Sequence, residues 1–301
     1  QLTSAIDSVV SNASHKAYAV PNHGESDLGA EISALLTKNH FKVSDLSLLL
    51  EGAVPDDCEV LILNQPTRDL ADDELTVLLD YLAQGGRVIY CMAGQLDALP
   101  NFESLMATYG MTLADGMIAD TTRYYQNNPY LFFPMVDNPV DAAYGFSTDS
   151  TVLVYSTRGF TLTDPARDTI TVESFLSTSE NGHAVVDQGG DTPGTYAVAA
   201  VATEEIDDDI TARLTVFGSG SLIDEAINST FTNLDNLDLF MAAATAGMDD
   251  LTRIAIEPVS LTPPTHPITP GGIWSLLLLL IIPGPLPIFG SWRGTPPPPL
   301  Q

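Results

Sequence analysis

The run Cys58-Glu59-Val60-Leu61-Ile62-Leu63 constrains this chain more than any other stretch. It is almost wholly apolar, too short for a membrane helix and bounded by the turn-forming Asp56-Asp57 and by Asn64-Gln65-Pro66-Thr67. Such a run reads as a strand buried on both faces, and burial on both faces calls for helical layers above and below a parallel sheet. Its surroundings repeat the pattern. Lys16 to Val20 reads as a buried strand, and Pro21 to Ser26 as a loop. Asp27 to Asn39 reads as a helix with Leu28, Ile32, Leu35 and Leu36 on one face. Phe41 to Leu46 gives a second strand. Asp72-Asp73-Glu74 puts carboxylates at a helix start, favourable with the macrodipole, before Leu75, Leu78, Leu79 and Leu82. Gly85-Gly86 closes that helix, and Arg87 to Cys91 is a fourth strand.

The order β-α-β-β-α-β predicts an α/β domain with a largely parallel sheet and helices on both faces, flavodoxin-like or class I glutamine amidotransferase-like. Leu2 to Val10 reads as a helix entering it, and Asn101 to Tyr109 as a further helix. Met111 to Ile118, Val152 to Tyr155, Ile170 to Val172, Tyr196 to Ala202 and Leu214 to Phe217 read as strands. Gly189 to Gly194 and the segment around His183 read as turns, and Asn236 to Ala246 as a last helix.

Charge separates the chain into parts. There are 39 acidic and 11 basic residues, for a net charge of −28, and every acidic residue lies at or before Glu257. A surface of that sign repels nucleic acid, which excludes nucleic-acid binding. From Pro258 on the composition changes. Residues 1–257 form the expected α/β domain, 258–272 a proline-rich linker, 273–290 an apolar segment and 291–301 a short tail. Ile273 to Phe289 is uncharged and would rise about 25 Å as a helix, close to the thickness of a bilayer core. Trp274 and Trp292 flank it as interface anchors do, so it reads as a membrane helix, with Arg293 placing the C-terminus inside and the acidic domain outside the cell membrane. Pro283, Pro285 and Pro287 interrupt it. Pro296 to Pro299 is what arginine CGC codons give in a shifted frame, so the tail is expected to derive from a basic one. The start at Gln1 implies a processed form or a fragment.

Chemistry is concentrated in few places. His23-Gly24-Glu25 falls in the loop after the first strand, at the sheet's carboxyl edge, where α/β domains place their sites. It either binds a polar ligand or ties its loop to Asn64-Gln65-Pro66-Thr67. Arg123 to Phe133 packs five aromatics among polar groups. That segment reads either as a covering loop or as a sugar- or partner-binding surface. A ligand is expected between His23, Glu25, Asn64, Gln65 and Thr67 on one side and Tyr124, Tyr125, Gln126, Asn127 and Tyr130 on the other. Cys91 ends a strand, but Ile-Tyr-Cys-Met-Ala-Gly lacks the glycine two places before a nucleophile elbow. Cys58 and Cys91 read as buried thiols. There is no Gly-x-Gly-x-x-Gly after the first strand, no Walker A motif and no zinc or EF-hand spacing, so no cofactor or metal is expected.

Several stretches resemble the GldG family of auxiliary extracytoplasmic components of ABC-2 type exporters. They include Tyr-Ala-Val-Pro-Asn-His-Gly-Glu, Val-Pro-Asp-Asp-Cys-Glu-Val-Leu-Ile-Leu-Asn-Gln-Pro-Thr-Arg-Asp-Leu, Leu-Asp-Tyr-Leu-Ala-Gln-Gly-Gly-Arg-Val and Tyr-Tyr-Gln-Asn-Asn-Pro-Tyr. The likeness runs from about Leu2 to Thr252. It implies a domain of the kind shared with intraflagellar-transport proteins, a membrane helix at each end, an ABC permease and ATPase as partners, and a glycan or polymer as cargo. The family has Gly-His-Gly-Glu where this chain has Asn22-His23-Gly24-Glu25. The resemblance also leads one to expect an N-terminal membrane helix, a domain after it and a basic tail, which residues 1–301 do not display. The expected function is a non-catalytic accessory subunit of an ABC-type transporter. The rival expectations are a degenerate amidotransferase-like hydrolase using Cys91 or the His23/Glu25 loop, and a cell-surface adhesion module.

Overall fold

The structure, a computed structural model, describes residues 15–94, 97–136, 140–186, 190–231 and 233–248. The expected helix from Leu2 to Val10, the linker at 258–272, the segment at 273–290 and the tail lie outside them. No helix among the described residues is long and apolar enough to cross a membrane.

The chain begins as the sequence predicts. Strand β1 is His15–Ala19, helix α1 Ala30–Lys38 and β2 Phe41–Asp45. A short helix α2, Leu48–Glu51, precedes β3, Val60–Asn64. Helix α3 is Asp72–Ala83, β4 Arg87–Cys91 and α4 Pro100–Thr108. The sequence reading passed over α2, because its one turn has no apolar period to detect. It ends at Gly52, which takes the left-handed φ of 65°.

Met111 to Ile118 is not one strand. It divides into β5, Met111–Leu113, and β6, Met117–Asp120. Between them Gly116 takes φ 89°, and a Cβ there would meet the Val185 carbonyl oxygen at 2.2 Å. Next come β7, Tyr124–Tyr125, β8, Asn128–Phe132, β9, Val154–Tyr155, β10, Phe160–Leu162, and β11, Ile170–Ser177. Two expected turns are strands instead. His183 lies in β12, Gly182–Val186, and Asp191 in β13, Gly190–Pro193, and the two pair antiparallel. Glycine at both strand starts disguised them as turns. Strands β14, Ala197–Asp207, and β15, Ile210–Phe217, are longer than their apolar cores, because their far ends carry polar side chains into solvent. Helix α5, Glu225–Thr230, and helix α6, Asn236–Thr245, follow.

The main sheet has nine strands in the order β2-β1-β3-β4-β15-β14-β10-β5, with β11 also paired to β14. The first five run parallel, as the sequence predicts. Beyond β15 every pairing is antiparallel. This half was not foreseen, since hairpin pairing leaves no helix between strands to mark it. Alternation within the parallel strands feeds two cores. Val60, Ile62, Ile89 and Cys91 face α1 and α6, while Leu61, Leu63, Val88 and Tyr90 face α2, α3 and α4. The helices therefore lie on both faces, as expected.

Thirty-nine acidic residues cannot be neutralised by 11 basic ones, and the mutual repulsion of surface carboxylates works against the compact state. Raising the salt from about 0.1 M to about 1 M shortens the screening length from about 10 Å to about 3 Å. The thermal midpoint is expected to rise by about 5 °C or more over that range, measured by circular dichroism. A midpoint indifferent to salt contradicts the argument.

Candidate functional site

The loop between β1 and α1 passes over the sheet's carboxyl edge, and its backbone is tied down at every step. The His23 carbonyl oxygen accepts from the amides of Thr67 and Arg68, both at 2.8 Å. The Arg68 guanidinium donates to the Asn22 carbonyl at 2.7 Å. The Ser26 amide donates to the Asn64 carbonyl at 2.9 Å, and the Asn64 side-chain amide returns a bond to the Ser26 carbonyl at 2.8 Å. The chain can bend this tightly because Gly24 takes φ 77°, and a Cβ there would fall 2.1 Å from Thr67 Oγ1. The backbone of this loop is thus bonded to the Asn64–Arg68 loop, while the side chains of His23 and Glu25 bond elsewhere.

His23 is its centre. The side chain is buried, with Nδ1 2.9 Å from Glu25 Oε1 and Nε2 2.9 Å from Glu74 Oε2. Each ring nitrogen therefore faces a carboxyl oxygen, an arrangement that favours the doubly protonated ring. The hydrogen bond to Glu25 is the main cause of a raised His23 pKa; the bond to Glu74 adds to it, and burial opposes both. Each carboxylate has a second task. Glu25 Oε2 accepts from the His23 amide at 2.5 Å, and Glu74 Oε2 from the Ala71 amide at 2.9 Å. Ala71 has no side-chain oxygen to cap α3, so Glu74 serves the helix start by itself. Sequence reasoning missed Glu74 as a site residue. It stood in an acidic trio that the macrodipole already explained, and only the fold brings it 51 residues back to His23.

The other expected residues fall in two places. Asn64, Gln65 and Thr67 lie beside the His23 loop. Gln65 holds φ 57°, its amide donates to the Cys91 carbonyl at 2.8 Å, and its side chain lies against Gly220. Tyr124, Tyr125, Gln126, Asn127 and Tyr130 form a separate hairpin of β7 and β8. Gln126 and Asn127, with φ of 47° and 62°, make its two-residue turn. Buried Asp120 clasps the hairpin base by accepting from the amides of Thr122, Arg123 and Ser179. Tyr125 packs edge-on against Phe133 and Phe231, while Tyr124 is 41% exposed. The Ser156 amide donates to the Tyr130 carbonyl, which attaches the hairpin to the loop after β9.

A cleft of about 480 Å³ opens beside the tether, and neither the hairpin tyrosines nor Gln126 and Asn127 line it. Cys91 is fully buried, and burial pushes its thiol up to about 12. Cys58 is pushed up to about 11 by the same cause. Thiols so shielded are poor nucleophiles at neutral pH. Among the described residues no cluster of three or more His, Cys, Asp or Glu is placed to hold a metal ion.

No family model matches the chain, and no curated protein matches it in sequence. Solved structures do match in fold. The mmIFT52 N-terminal domain is 16% identical with a TM-score of 0.56, over 77% of this chain and 98% of that one. A ThuA-like protein from Bacteroides uniformis is 12% identical with a TM-score of 0.47, over 77% of this chain and 91% of that one. PurLQS from Thermotoga maritima is 13% identical with a TM-score of 0.42, over 77% and 98%. The first likeness defines the class: a mixed α/β domain sharing the fold of that N-terminal domain. At 16% identity it concerns the fold alone.

Two predictions follow from the tether. A histidine whose pKa is raised on folding adds stability that is complete below its unfolded value, about 6.5, and fades as pH climbs through the raised native value. The wild-type protein should therefore lose stability relative to His23→Gln as pH rises above about 6.5, and identical pH slopes in urea melts refute this. Gly24→Ala should destabilise by roughly 2 kcal/mol or more in the same melts, from a left-handed φ and the clash with Thr67.

Proposed function

We propose that the chain is a non-catalytic accessory subunit of an ABC-type transporter, of the GldG kind. In this reading the α/β domain stands outside the cell membrane on its proline-rich linker, anchored through residues 273–290. There it binds an exported glycan or polymer, or a partner subunit, as part of a complex with an ABC permease and its ATPase. The observation that carries the reading is the sequence likeness around His23-Gly24-Glu25 and Asn64-Gln65-Pro66-Thr67, together with the fold likeness to the mmIFT52 N-terminal domain. That is the kind of domain the family resemblance leads one to expect.

The chemistry of the carboxyl edge agrees with binding rather than turnover. Both His23 ring nitrogens are occupied by carboxylates, which leaves no free lone pair to accept a substrate proton. Cys91 offers no exposed thiolate.

The direct test is purification of the tagged full chain from detergent-solubilised membranes. A permease and an ATPase are expected to come with it in constant ratio, and their repeated absence sinks the proposal. A second test concerns the rival hydrolase. Iodoacetamide should leave Cys58 and Cys91 unmodified in the native protein and label both after denaturation, read by mass spectrometry. Rapid native labelling of Cys91 with loss of a hydrolytic activity would reverse the assignment.

A further inference from the structure

The small sheet of β7, β8 and β9 breaks a rule of antiparallel ribbons: with one face on a core, the other face is normally polar. Its inner face is core. Phe132 and Val154 lie opposite each other across β8 and β9, and both are buried. Alternation puts Leu131 and Tyr155, the neighbouring opposed pair, on the outer face, and Phe133 falls there too. Leu131 and Phe133 are half-buried, while Tyr155 is 46% exposed. Tyr125 joins them, edge-on to Phe133 at 6.4 Å and to Phe231, just past α5, at 5.1 Å. Among the described residues, none of these side chains builds or lines either core. The outer face of the ribbon is therefore an apolar, largely aromatic patch that the domain itself leaves uncovered.

The patch carries no charge. Charged residues make up 17% of the chain, yet Tyr124 to Val136, Thr151 to Thr157 and Asn228 to Phe231 contain none. An anionic polymer is repelled by a chain of net charge −28, and a cationic one finds no counter-charge in these segments. The polar groups beside the rings are amides. Gln126 and Asn127 are exposed at the hairpin tip, and Gln126 Nε2 donates to the Tyr125 hydroxyl at 2.9 Å. Both hold a left-handed φ, at a turn where glycine is favoured, so the amide side chains are kept there at a conformational cost. Flat rings flanked by amides match a neutral sugar, whose C–H faces stack on aromatic rings and whose hydroxyls both donate and accept. From Asn128 to Leu131 the strand rises about 10 Å, which suits several linked sugars better than one.

We infer that the outer face of this ribbon binds a neutral oligosaccharide, whose sugar rings stack on Tyr125, Phe133 and Tyr155 while Gln126 and Asn127 hydrogen-bond its hydroxyls. The inference rests on the reading of this domain as a binding module, and it names the face used and the class of ligand. It does not depend on the transporter partners.

Isothermal titration calorimetry of the full chain, in a detergent without sugar headgroups, tests it with cellohexaose, laminarihexaose, maltohexaose, N-acetylated chitohexaose and hexagalacturonate. At least one neutral hexasaccharide should bind saturably, and the acidic hexagalacturonate at least about tenfold more weakly than that one. Tyr155→Ala, an exposed change, should weaken the bound hexasaccharide about tenfold at an unaltered thermal midpoint, while Tyr155→Phe, which keeps the ring, should bind as the wild type does. Asn127→Gly suits the turn better and should still bind the sugar more weakly. No binding of any neutral hexasaccharide at millimolar concentration overturns the inference, and so does undiminished binding by both Tyr155→Ala and Asn127→Gly. If Tyr155→Ala loses the co-purifying permease and ATPase while no sugar binds the wild type, the patch is a protein contact and the inference falls. A chain that co-purifies with permease and ATPase, keeps them in Tyr155→Ala and ignores every sugar refutes the ligand and leaves the transporter reading standing.

Discussion

An imidazole held between two carboxyl groups fixes the carboxyl edge of this sheet. His23 joins the loop after β1 to the first turn of α3 through Glu25 and Glu74. The same two carboxylates hold the backbone amides of His23 and Ala71. Removing the ring would leave two buried carboxylates facing a hole, a change costing on the order of 3 kcal/mol. The position of the Asn64–Arg68 loop follows from it, because that loop hangs on the His23 carbonyl. The shape of the neighbouring cleft follows in turn. The cluster is buried and internally satisfied, and it holds the shape of this edge.

The parallel half of the fold was legible in the sequence for a simple reason. A strand buried on both faces needs a continuous apolar run, and a helix covering it needs a 3.6-residue apolar period. Val60 to Leu63 and Leu75 to Leu82 carry those two signatures openly. The antiparallel half hides better. Ala197 to Ala202 shows as a strand, but its polar continuation through Asp207 is held by pairing with β11 and β15, not by its own composition. His183 and Asp191 look like turn residues beside glycines, yet they meet diagonally across two antiparallel strands, with Nδ1 2.7 Å from the carboxylate.

The site was half legible. His23, Gly24 and Glu25 drew notice because that trio has no role in an apolar pattern. Glu74 and Asp120 did not, because each had a sufficient local explanation or none at all. Asp120 is one carboxylate among many until four donors converge on it from two separate loops. The aromatic segment was recognised as a unit, and it is one. Its attachment to the loop after β9 depends on contacts that no local pattern announces.

The approach of Gln65 to Gly220 has a consequence for how this edge can change over time. A methyl group at position 220 would lie 2.1 Å from Gln65 Cγ, inside the atoms already there. Gly220 is held in turn by its own amide bond to the Met92 carbonyl. A side chain at 220 therefore has room only where the one at 65 is shorter or swings aside, so two positions far apart in the chain constrain each other.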